Sequence, residues 1–294
     1  MVRFTKMHGC GNDYIYINGF TEKVENHAEA AIILSNRHFG IGSDGLIFIN
    51  PSEKADFEME MYNLDGSRAQ MCGNGIRCVG KYVYDHGLTD KTLITVDTLA
   101  GVKTLDMTVS GGEVTEVTVD MGMPVTEPLK IPVSADFAGN KEKIVNEKLA
   151  VGDREYGVTC VSMGNPHAVV FIDCDERDLK LSETGPLFER HKAFPEYINT
   201  EFVRIRDRKS IDMRVWERGS GETFACGTGA CASVVASILN GLTDNEVNVR
   251  LQGGNLKVRW DRENGHVFMT GPAETVFEGT IENFIEAKEN FPER

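Results

Sequence analysis

The sequence predicts an α+β protein made of two pseudo-symmetric homologous modules, each a curved, mostly antiparallel sheet wrapped around a central helix. Three observations predict it. A short glycine motif occurs twice, a helix signal follows each copy, and strands with a two-residue hydrophobic period follow each helix. The length of 294 residues agrees, because it suits about two domains of roughly 150 residues.

An internal repeat organises the chain. Residues 72–75 read CGNG and residues 226–229 read CGTG, 154 positions apart. Further landmarks recur in the same order at an offset of 153 or 154: GLTD at 87–90 and 241–244, Tyr62 and Trp216, Asn12 and Asn165, and RH at 37–38 and 190–191. Such agreement in order and register indicates two homologous halves, and two copies are too few for a repeat array.

Two helices are expected in each half. Apolar clustering predicts the first over residues 28–37 in one half and roughly 186–191 in the other. The second helix follows each CGxG motif. It ends before Gly87 or Gly241, because a glycine at that point can adopt the left-handed conformation that terminates a helix.

Strands are expected beyond each of these glycines, where the hydrophobic period changes to two. The alternating apolar positions are Val117, Val119 and Met121 in the first half, and Val247, Val249, Leu251, Leu256, Val258 and Trp260 in the second. Gly111-Gly112, Gly253-Gly254 and Asn264-Gly265 supply tight turns between neighbouring strands. Such short turns predict antiparallel hairpins.

The boundary between the modules is expected in a proline-rich stretch. Residues 124–132 contain three prolines and are typical of a linker. We therefore expect an N-terminal module over 1–123 that carries Cys72 and is joined by the C-terminal segment 280–294. The C-terminal module, over 124–279, carries Cys226.

Composition and charge exclude several classes. The chain is 41% apolar and 26% charged, as ordinary globular proteins are. Its formal net charge of −14 would repel phosphate backbones, so no nucleic-acid partner is expected. There is no apolar run of about 18 residues and no signal-peptide pattern. We expect a cytoplasmic protein without membrane association, whose 7 cysteines, an odd number, are thiols.

Cys72 and Cys226 are the candidate catalytic residues. At the start of a helix, a sulfur is surrounded by unpaired amides and the positive end of the helix dipole, which predicts a lowered thiol pKa. The glycines that follow each cysteine would let a carboxylate approach those amides. A pseudo-twofold axis would bring the two thiols to one cleft. One base and one acid on opposite sides of a carbon is what inversion of a C–H centre requires, and no cofactor is needed.

The other cysteines are expected to be structural. Cys78, Cys160, Cys174 and Cys231 are interpreted as small buried apolar residues. Helical spacing separates Cys78 from Cys72 and Cys231 from Cys226 around the helix, and the chain has no CxxC pair, so no metal site is expected. Cys10, in HGCGND, is ambiguous and stays outside the catalytic set.

The motifs resemble those of the diaminopimelate epimerase family over essentially the whole chain. They are HGxGNDY at 8–14, YNxDGS at 62–67, MCGNGxRC at 71–78, GNPHAV at 164–169, ERGSGET at 217–223 and ACGTGACA at 225–232. The resemblance implies the family's fold and its cofactor-independent reaction in lysine and cell-wall synthesis. LL- and meso-2,6-diaminopimelate would be interconverted by Cys72 and Cys226, one as thiolate base and the other as thiol acid. It also implies a homodimer, the family's common state.

The resemblance further implies a set of substrate-binding residues. The reacting carboxylate would bind the amides of Gly73-Asn74 and Gly227-Thr228, and His167 would support the site. Arg218 would bind the distal carboxylate and Glu217 an ammonium group. The amide side chains that would assist are Asn12, Asn63, Asn165 and Asn199. Gly45 departs from the family members that carry Gln there, so one polar contact to the substrate would be absent or supplied by water.

Alternatives remain at this point. Asn63 and Asn165 could cap turns, and Glu217 with Arg218 could form a solvated pair. A related two-cysteine racemase, such as a proline or hydroxyproline racemase, or a phenazine-pathway isomerase could share the scaffold, although the latter does not keep both cysteines. A protein of another class, a thiol redox switch or small-ligand binder, would exchange no α-proton.

Overall fold

The computed structural model describes residues 1–282, which form two compact units. Unit 1 comprises Met1–Val119 together with the described residues from Gly271 onward, and unit 2 comprises Asp120–Thr270. None of the helices in the described residues is long and apolar enough to cross a membrane.

The described elements alternate along the chain as follows. The strands are β1 Val2–Gly9, β2 Asn12–Asn18, β3 Gly45–Asn50, β4 Phe57–Asn63, β5 Arg68–Ala69, β6 Leu93–Asp97, β7 Lys103–Ser110, β8 Glu113–Gly122, β9 Glu147–Val151, β10 Arg154–Ser162, β11 Pro166–Phe171, β12 Asn199–Asp207, β13 Ser210–Glu217, β14 Gly221–Thr223, β15 Glu246–Leu251, β16 Gly254–Trp260, β17 Val267–Gly271 and β18 Glu274–Ile281. The α-helices are α1 His27–Ser35, α2 Gly73–Asp85, α3 Ala135–Ala138, α4 Leu181–Glu189 and α5 Gly227–Leu239, and 3₁₀ turns lie at Pro128–Lys130 and Glu176–Asp178.

The sheet of unit 1 has the order β18-β1-β2-β3-β4-β6-β7-β8, with the short β5 beside β4. All its pairs are antiparallel except β2–β3 and β4–β6. These two pairs are parallel because the chain crosses over between them through α1 and through α2.

Unit 2 repeats this topology. Its order is β9-β10-β11-β12-β13-β15-β16-β17, with β14 beside β13, and the parallel pairs β11–β12 and β13–β15 follow crossovers through α4 and α5. The prediction of two homologous α+β modules with mostly antiparallel sheets is therefore confirmed.

Each sheet is wrapped around its long helix. Residues 73–83 of α2 are all buried, and α2 contacts β1, β2 and β7, while α5 contacts β10, β11, β12 and β16. Gly80 lets α2 approach the sheet, since a Cβ there would lie 3.1 Å from Leu105. Both helices end as predicted, with Gly87 and Gly241 at φ values of +68° and +71°.

The module boundaries differ from those expected. Residues 124–132 do not form a linker, because Val125 pairs with Ser162 and Ile131 is fully buried in the core of unit 2. The chain returns to unit 1 at Gly271 and not at residue 280, because β18 pairs with β1 along its length. Of the segment 280–294 expected in the first module, residues 283–294 lie outside the described residues.

The first helix of each half also differs at its ends. α1 stops at Ser35, two residues before the expected end. α4 begins at Leu181, five residues before the expected start, because Leu181 and Phe188 lie two turns apart on one buried face. Pro186 therefore lies inside the helix.

Gly185→Ala should destabilise unit 2 by about 1–3 kcal/mol. An added Cβ would lie 2.3–2.6 Å from the indole ring of Trp216, which is too close for a rigid side chain to accommodate. Both tryptophans, Trp216 and Trp260, lie in unit 2, so the tryptophan fluorescence signal in urea reports this unit. Ser182→Ala, on the exposed face of the same helix, is the control and should change little. Equal urea midpoints for the two variants would contradict the packing described here.

Candidate active site

Cys72 and Cys226 are the N-cap residues of the two central helices, as predicted. Each has an extended backbone, with φ and ψ of −125° and 121° for Cys72 and −120° and 111° for Cys226. Each sulfur accepts a hydrogen bond of 3.4 Å from the amide three residues on, at Gly75 and Gly229. A thiol therefore takes the place of the oxygen that usually caps a helix.

The first half-site is organised around the amide of Asn12. Its Oδ1 accepts a hydrogen bond from the Cys72 thiol at 3.1 Å, and its Nδ2 donates to Asp44 Oδ2 at 2.7 Å. The other oxygen of Asp44 accepts from Arg37 at 2.9 Å. Because Asp44 accepts only, it fixes which end of the Asn12 amide faces the sulfur. Sequence reasoning missed Asp44. Its place within the glycine-containing stretch GIGSDG, at residues 40–45, was a signal that could have indicated it.

Asn74 is held by the fully buried Arg77. The guanidinium donates to Asn74 Oδ1 at 3.1 Å, to the carbonyl of Gly73 at 2.9 Å and to the carbonyl of Pro272 at 3.1 Å. Gly9 leaves room for it, since a Cβ there would lie 2.8 Å from Arg77 Nη2. The first turn of α2 is thus fixed by a buried cation, a role that spacing did not predict.

Asn63 and Gly45 lie on neighbouring strands, directly opposite each other. Asn63 closes the turn to Ser67, donating from Nδ2 to Oγ at 3.0 Å, so the turn-cap alternative describes its contacts in this structure. A Cβ on Gly45 would lie 2.2 Å from the carbonyl of Tyr62 and 2.9 Å from the ring of Tyr14. A side chain at position 45 would therefore collide first with the backbone of Tyr62 and then with the Tyr14 ring.

The second half-site contains a buried carboxylate beside its cysteine. Glu217 accepts a hydrogen bond from Thr223 and contacts the Cys226 thiol, so it does not form the solvated pair with Arg218 that was an alternative. Burial raises the pKa of Glu217, partly offset by those two contacts and by His167. Cys226 also contacts Thr228 Oγ1 at 3.4 Å.

The expected lowering of the thiol pKa is wrong for Cys226. Burial, and then the charges of Glu217 and Glu201, raise the pKa of this thiol well above its ordinary value. The hydrogen bonds from Thr228 and the Gly229 amide act in the opposite direction but are smaller. Desolvation and two nearby carboxylates outweigh the helix terminus.

His167 and Glu201 form a fully buried pair in the second half-site. Nδ1 of His167 lies 2.7 Å from Glu201 Oε1, and Nε2 lies 3.0 Å from Asn165 Oδ1. The side chain of Asn165 therefore contacts His167 rather than capping a turn. Sequence reasoning missed Glu201, because one acid within the buried first five residues of β12 gives no distinguishing pattern.

Asn199 and Arg218 are linked through the backbone. Asn199 donates from Nδ2 to the carbonyl of Pro166 at 2.8 Å and accepts from the backbone amide of Arg218 at 2.9 Å. The Arg218 guanidinium donates to the carbonyl of Glu196 at 3.0 Å. Asn199 thus sets the position of the main chain at Arg218.

The two half-sites are built at equivalent positions of the repeat. Tyr14 pairs with Gly45 across the parallel pair β2–β3, and His167 pairs with Asn199 across β11–β12. The register relates the site residues as Asn12 with Asn165, Tyr14 with His167, Gly45 with Asn199, Asn63 with Glu217, and Cys72 with Cys226. Three of these five pairs differ in the chemical type of the side chain. The two halves therefore share backbone geometry but not the same polar and charged groups.

The seven cysteines are all thiols. Cys10, Cys78, Cys160 and Cys231 are buried, as expected for the latter three. The expectation that Cys174 is buried is wrong, because it lies exposed in an acidic turn after β11. Within residues 1–282, no group of three or more His, Cys, Asp and Glu side chains is arranged to hold a metal ion.

Comparisons with known proteins agree with these motifs. The family model described as diaminopimelate epimerase matches residues 4–127 and 159–276. A diaminopimelate epimerase of Agathobacter rectalis is 58% identical over 284 residues, covering 96% of this chain and 99% of the relative. One of Methanococcus maripaludis is 52% identical over 281 residues, covering 96% and 100%.

Solved structures of other enzymes share the fold. A hydroxyproline epimerase from Agrobacterium vitis matches with a TM-score of 0.67 at 14% identity, covering 95% of this chain and 90% of that one. A Bacillus anthracis phenazine biosynthesis protein of the PhzF family matches with a TM-score of 0.67 at 16% identity, covering 96% and 99%. At this identity the likeness shows the fold alone.

Glu217→Gln should stabilise the protein relative to wild type increasingly as pH rises. A raised folded-state pKa means that Glu217 stabilises the wild type fully below its unfolded-state pKa, near 4.5, and that this contribution is lost as pH rises through the folded-state value. Glutamine does not titrate. The urea midpoint of the variant minus that of wild type should therefore be larger at pH 8 than at pH 4. A difference that shrinks or stays constant would contradict the burial of this carboxylate.

Proposed function

Because the chain belongs to the diaminopimelate epimerase family, we propose that it is an isomerase that interconverts LL- and meso-2,6-diaminopimelate, without a cofactor, in the biosynthesis of lysine and peptidoglycan precursors. The observation that carries this proposal is the pair of cysteines that cap equivalent helices in the two modules. A serine or threonine oxygen would cap these helices equally well. The presence of cysteine at both caps therefore indicates a chemical role for the two thiols.

In the proposed reaction, the two thiols act on opposite faces of one α-carbon. A thiolate takes the α-proton, so the C–H bond breaks and an S–H bond forms while the electron pair moves toward the carboxylate. The thiol on the other face then gives its proton to the carbon and becomes the thiolate. Cys72 and Cys226 exchange these roles when the reaction runs in the other direction.

The first turns of α2 and α5 would stabilise the transition state. The charge on the substrate carboxylate grows as the carbanion forms, and amides fixed at helix N-termini are aimed at such charge without reorganising. We propose the amides of Gly73, Asn74, Gly227 and Thr228 for this role. The fixed position of Asn74 on the buried Arg77 supports it.

The remaining site residues would recognise the rest of the substrate. We propose that Arg218 binds the distal carboxylate in its planar fork and that Glu217 binds an ammonium group. The amides of Asn12, Asn63, Asn165 and Asn199 would assist, and His167 would support Asn165. Since Glu217 is buried with a raised pKa, a substrate ammonium would supply the charge that favours its ionised form.

Two alternatives are less well supported. A proline-racemase-like activity rests on structural neighbours of 14–15% identity, against 50–58% for the diaminopimelate epimerases. A thiol redox switch would not need a buried carboxylate in contact with Cys226, as Glu217 is.

We further propose a cytoplasmic homodimer. A reaction that needs two thiols favours a reducing compartment. In the described residues, β18 lies at the edge of the sheet of unit 1 and carries two exposed apolar side chains, Val276 (53%) and Phe277 (45%), against which a second copy of the chain could pack.

Cys72→Ser and Cys226→Ser should each lower the epimerisation rate by at least about a hundredfold, because a hydroxyl is too weak an acid to replace either thiol. The measurement is the conversion of LL- to meso-diaminopimelate, followed by chiral chromatography. Cys78→Ala and Cys231→Ala are matched controls, since each removes a fully buried thiol from the same helix, and both should retain turnover. Near-normal turnover in either serine variant would overturn the two-thiol mechanism.

Arg218→Met should raise KM far more than it lowers kcat. A distal carboxylate left without its partner costs about 2–5 kcal/mol, which corresponds to a rise in KM of about thirtyfold or more. Arg206→Met, which removes a cation 41% exposed on β12, is the control and should leave KM unchanged. A normal KM in the Arg218 variant would show that the distal carboxylate binds elsewhere.

A further inference from the structure

The buried carboxylate of Glu201 has an aliphatic counterpart in the first half. Glu201 pairs with Val169 across β11–β12, and Ile47 pairs with Tyr16 across β2–β3, so the two residues occupy equivalent positions of the repeat. Each faces the glycine three residues after the catalytic cysteine. A Cβ on Gly229 would lie 2.6 Å from Glu201 Oε1, and one on Gly75 would lie 2.9 Å from Ile47 Cδ1.

The surroundings of Glu201 make this difference consequential. Its side chain is fully buried, Oε1 lies 2.7 Å from His167 Nδ1, and Oε2 is buried without a hydrogen-bond partner within residues 1–282. A carboxylate in such a place is costly to retain for packing alone, because an apolar side chain like Ile47 fills the equivalent position. This cost in free energy indicates that the negative charge of Glu201 has a role.

We propose that Glu201 is a positioning residue that makes the two half-sites chemically unequal: it fixes His167 and places a negative charge against the helix turn that carries Cys226. This inference deepens the proposed function and rests on it for the identity of the reaction.

The first consequence is geometric. Nδ1 of His167 lies 2.7 Å from Glu201 Oε1, and Nε2 of the same ring lies 3.0 Å from Asn165 Oδ1, so the carboxylate fixes the ring that Asn165 contacts. Asn165 is thereby oriented through its Oδ1 end. In the first half, Asp44 orients Asn12 directly and with the opposite polarity, through Nδ2.

The second consequence is electrostatic. The charged groups that face Cys226 are Glu217 from β13 and Glu201 from β12, and both raise the pKa of the thiol. Around Glu201 itself lie His167 from β11, Cys160 from β10 and Glu217. The first half has Ile47 where Glu201 stands, so Cys72 lacks this contribution.

The test is the pH profile of thiol alkylation in the substrate-free protein. Wild type, Glu201→Gln and Asp212→Asn would be treated briefly with iodoacetamide between pH 6 and 10, and the peptides that contain Cys72 and Cys226 quantified by mass spectrometry. Glutamine keeps an acceptor for His167 but removes the charge. Asp212→Asn removes another mostly buried carboxylate of unit 2 and is the control.

The proposal expects the alkylation midpoint of Cys226, and not that of Cys72, to depend on Glu201. In Glu201→Gln, the Cys226 midpoint should fall by about one pH unit, which is about a tenfold faster reaction at a pH below both midpoints, while Cys72 is unchanged. Asp212→Asn should leave both profiles as in wild type. A purely structural role would alter rates without moving the midpoint.

Two results would overturn the proposal. One is an unchanged Cys226 midpoint in Glu201→Gln, and the other is an equal shift in Asp212→Asn. If Glu201→Gln does not fold, Glu201→Met makes the same comparison, since it also removes the charge and places an apolar side chain where the first half has Ile47. Because alkylation needs no substrate, failure of this inference is distinguishable from failure of the proposed epimerase activity, which chromatographic turnover measures separately.

Discussion

The site depends on a cysteine that caps a buried helix, because this contact fixes where each sulfur lies. The cap needs an extended residue before the helix, a free approach to the third amide, and a sheet wrapped around the helix that follows. Gly75 and Gly229, which have no side chain, leave the third amide open to the sulfur. The sheets wrapped around α2 and α5 bury both helices. A charge near a helix N-terminus gains about 0.3–2 kcal/mol from the dipole. For Cys226, burial and two carboxylates outweigh that gain.

Duplication explains how one chain obtains two such caps, and divergence explains why the halves differ. The same strand order and the same two crossovers occur in both units. At equivalent positions, however, the first half has Gly45 and Ile47 where the second half has Asn199 and Glu201. An inversion of LL- to meso-diaminopimelate treats two faces of a carbon differently, so halves that share backbone geometry but not charge suit the proposed chemistry.

Much of this was predictable from the sequence, because the determining signals are local. The repeat of CGxG, the glycines at Gly87 and Gly241, and the two-residue period fix the helix ends and the strands. Residues 124–132 were misinterpreted because prolines also occur at the start of a 3₁₀ turn, as at Pro128, and because burial of Ile131 depends on distant strands.

What the sequence could not show depends on contacts between distant segments. Asp44 and Glu201 matter through the partners that the sheet brings to them, and neither has a local pattern. The thiol pKa of Cys226 followed from burial and from carboxylates on β12 and β13, which helix position alone does not reveal. Local signals predict backbone geometry, while the electrostatics of a buried site require the assembled fold.

Solvent-deuterium incorporation tests the central claim most directly, that two thiols act on opposite faces of one α-carbon. LL-2,6-diaminopimelate would be incubated with the protein in D₂O, and the isotope content of substrate and product followed by mass spectrometry and NMR at early conversion. The account predicts deuterium at the inverted α-carbon of the meso product while the remaining LL substrate stays protiated, because the acid that delivers the new proton is not the base that removed the old one. Meso product that retains its original hydrogen, or recovered LL substrate that gains deuterium before any product forms, would contradict it.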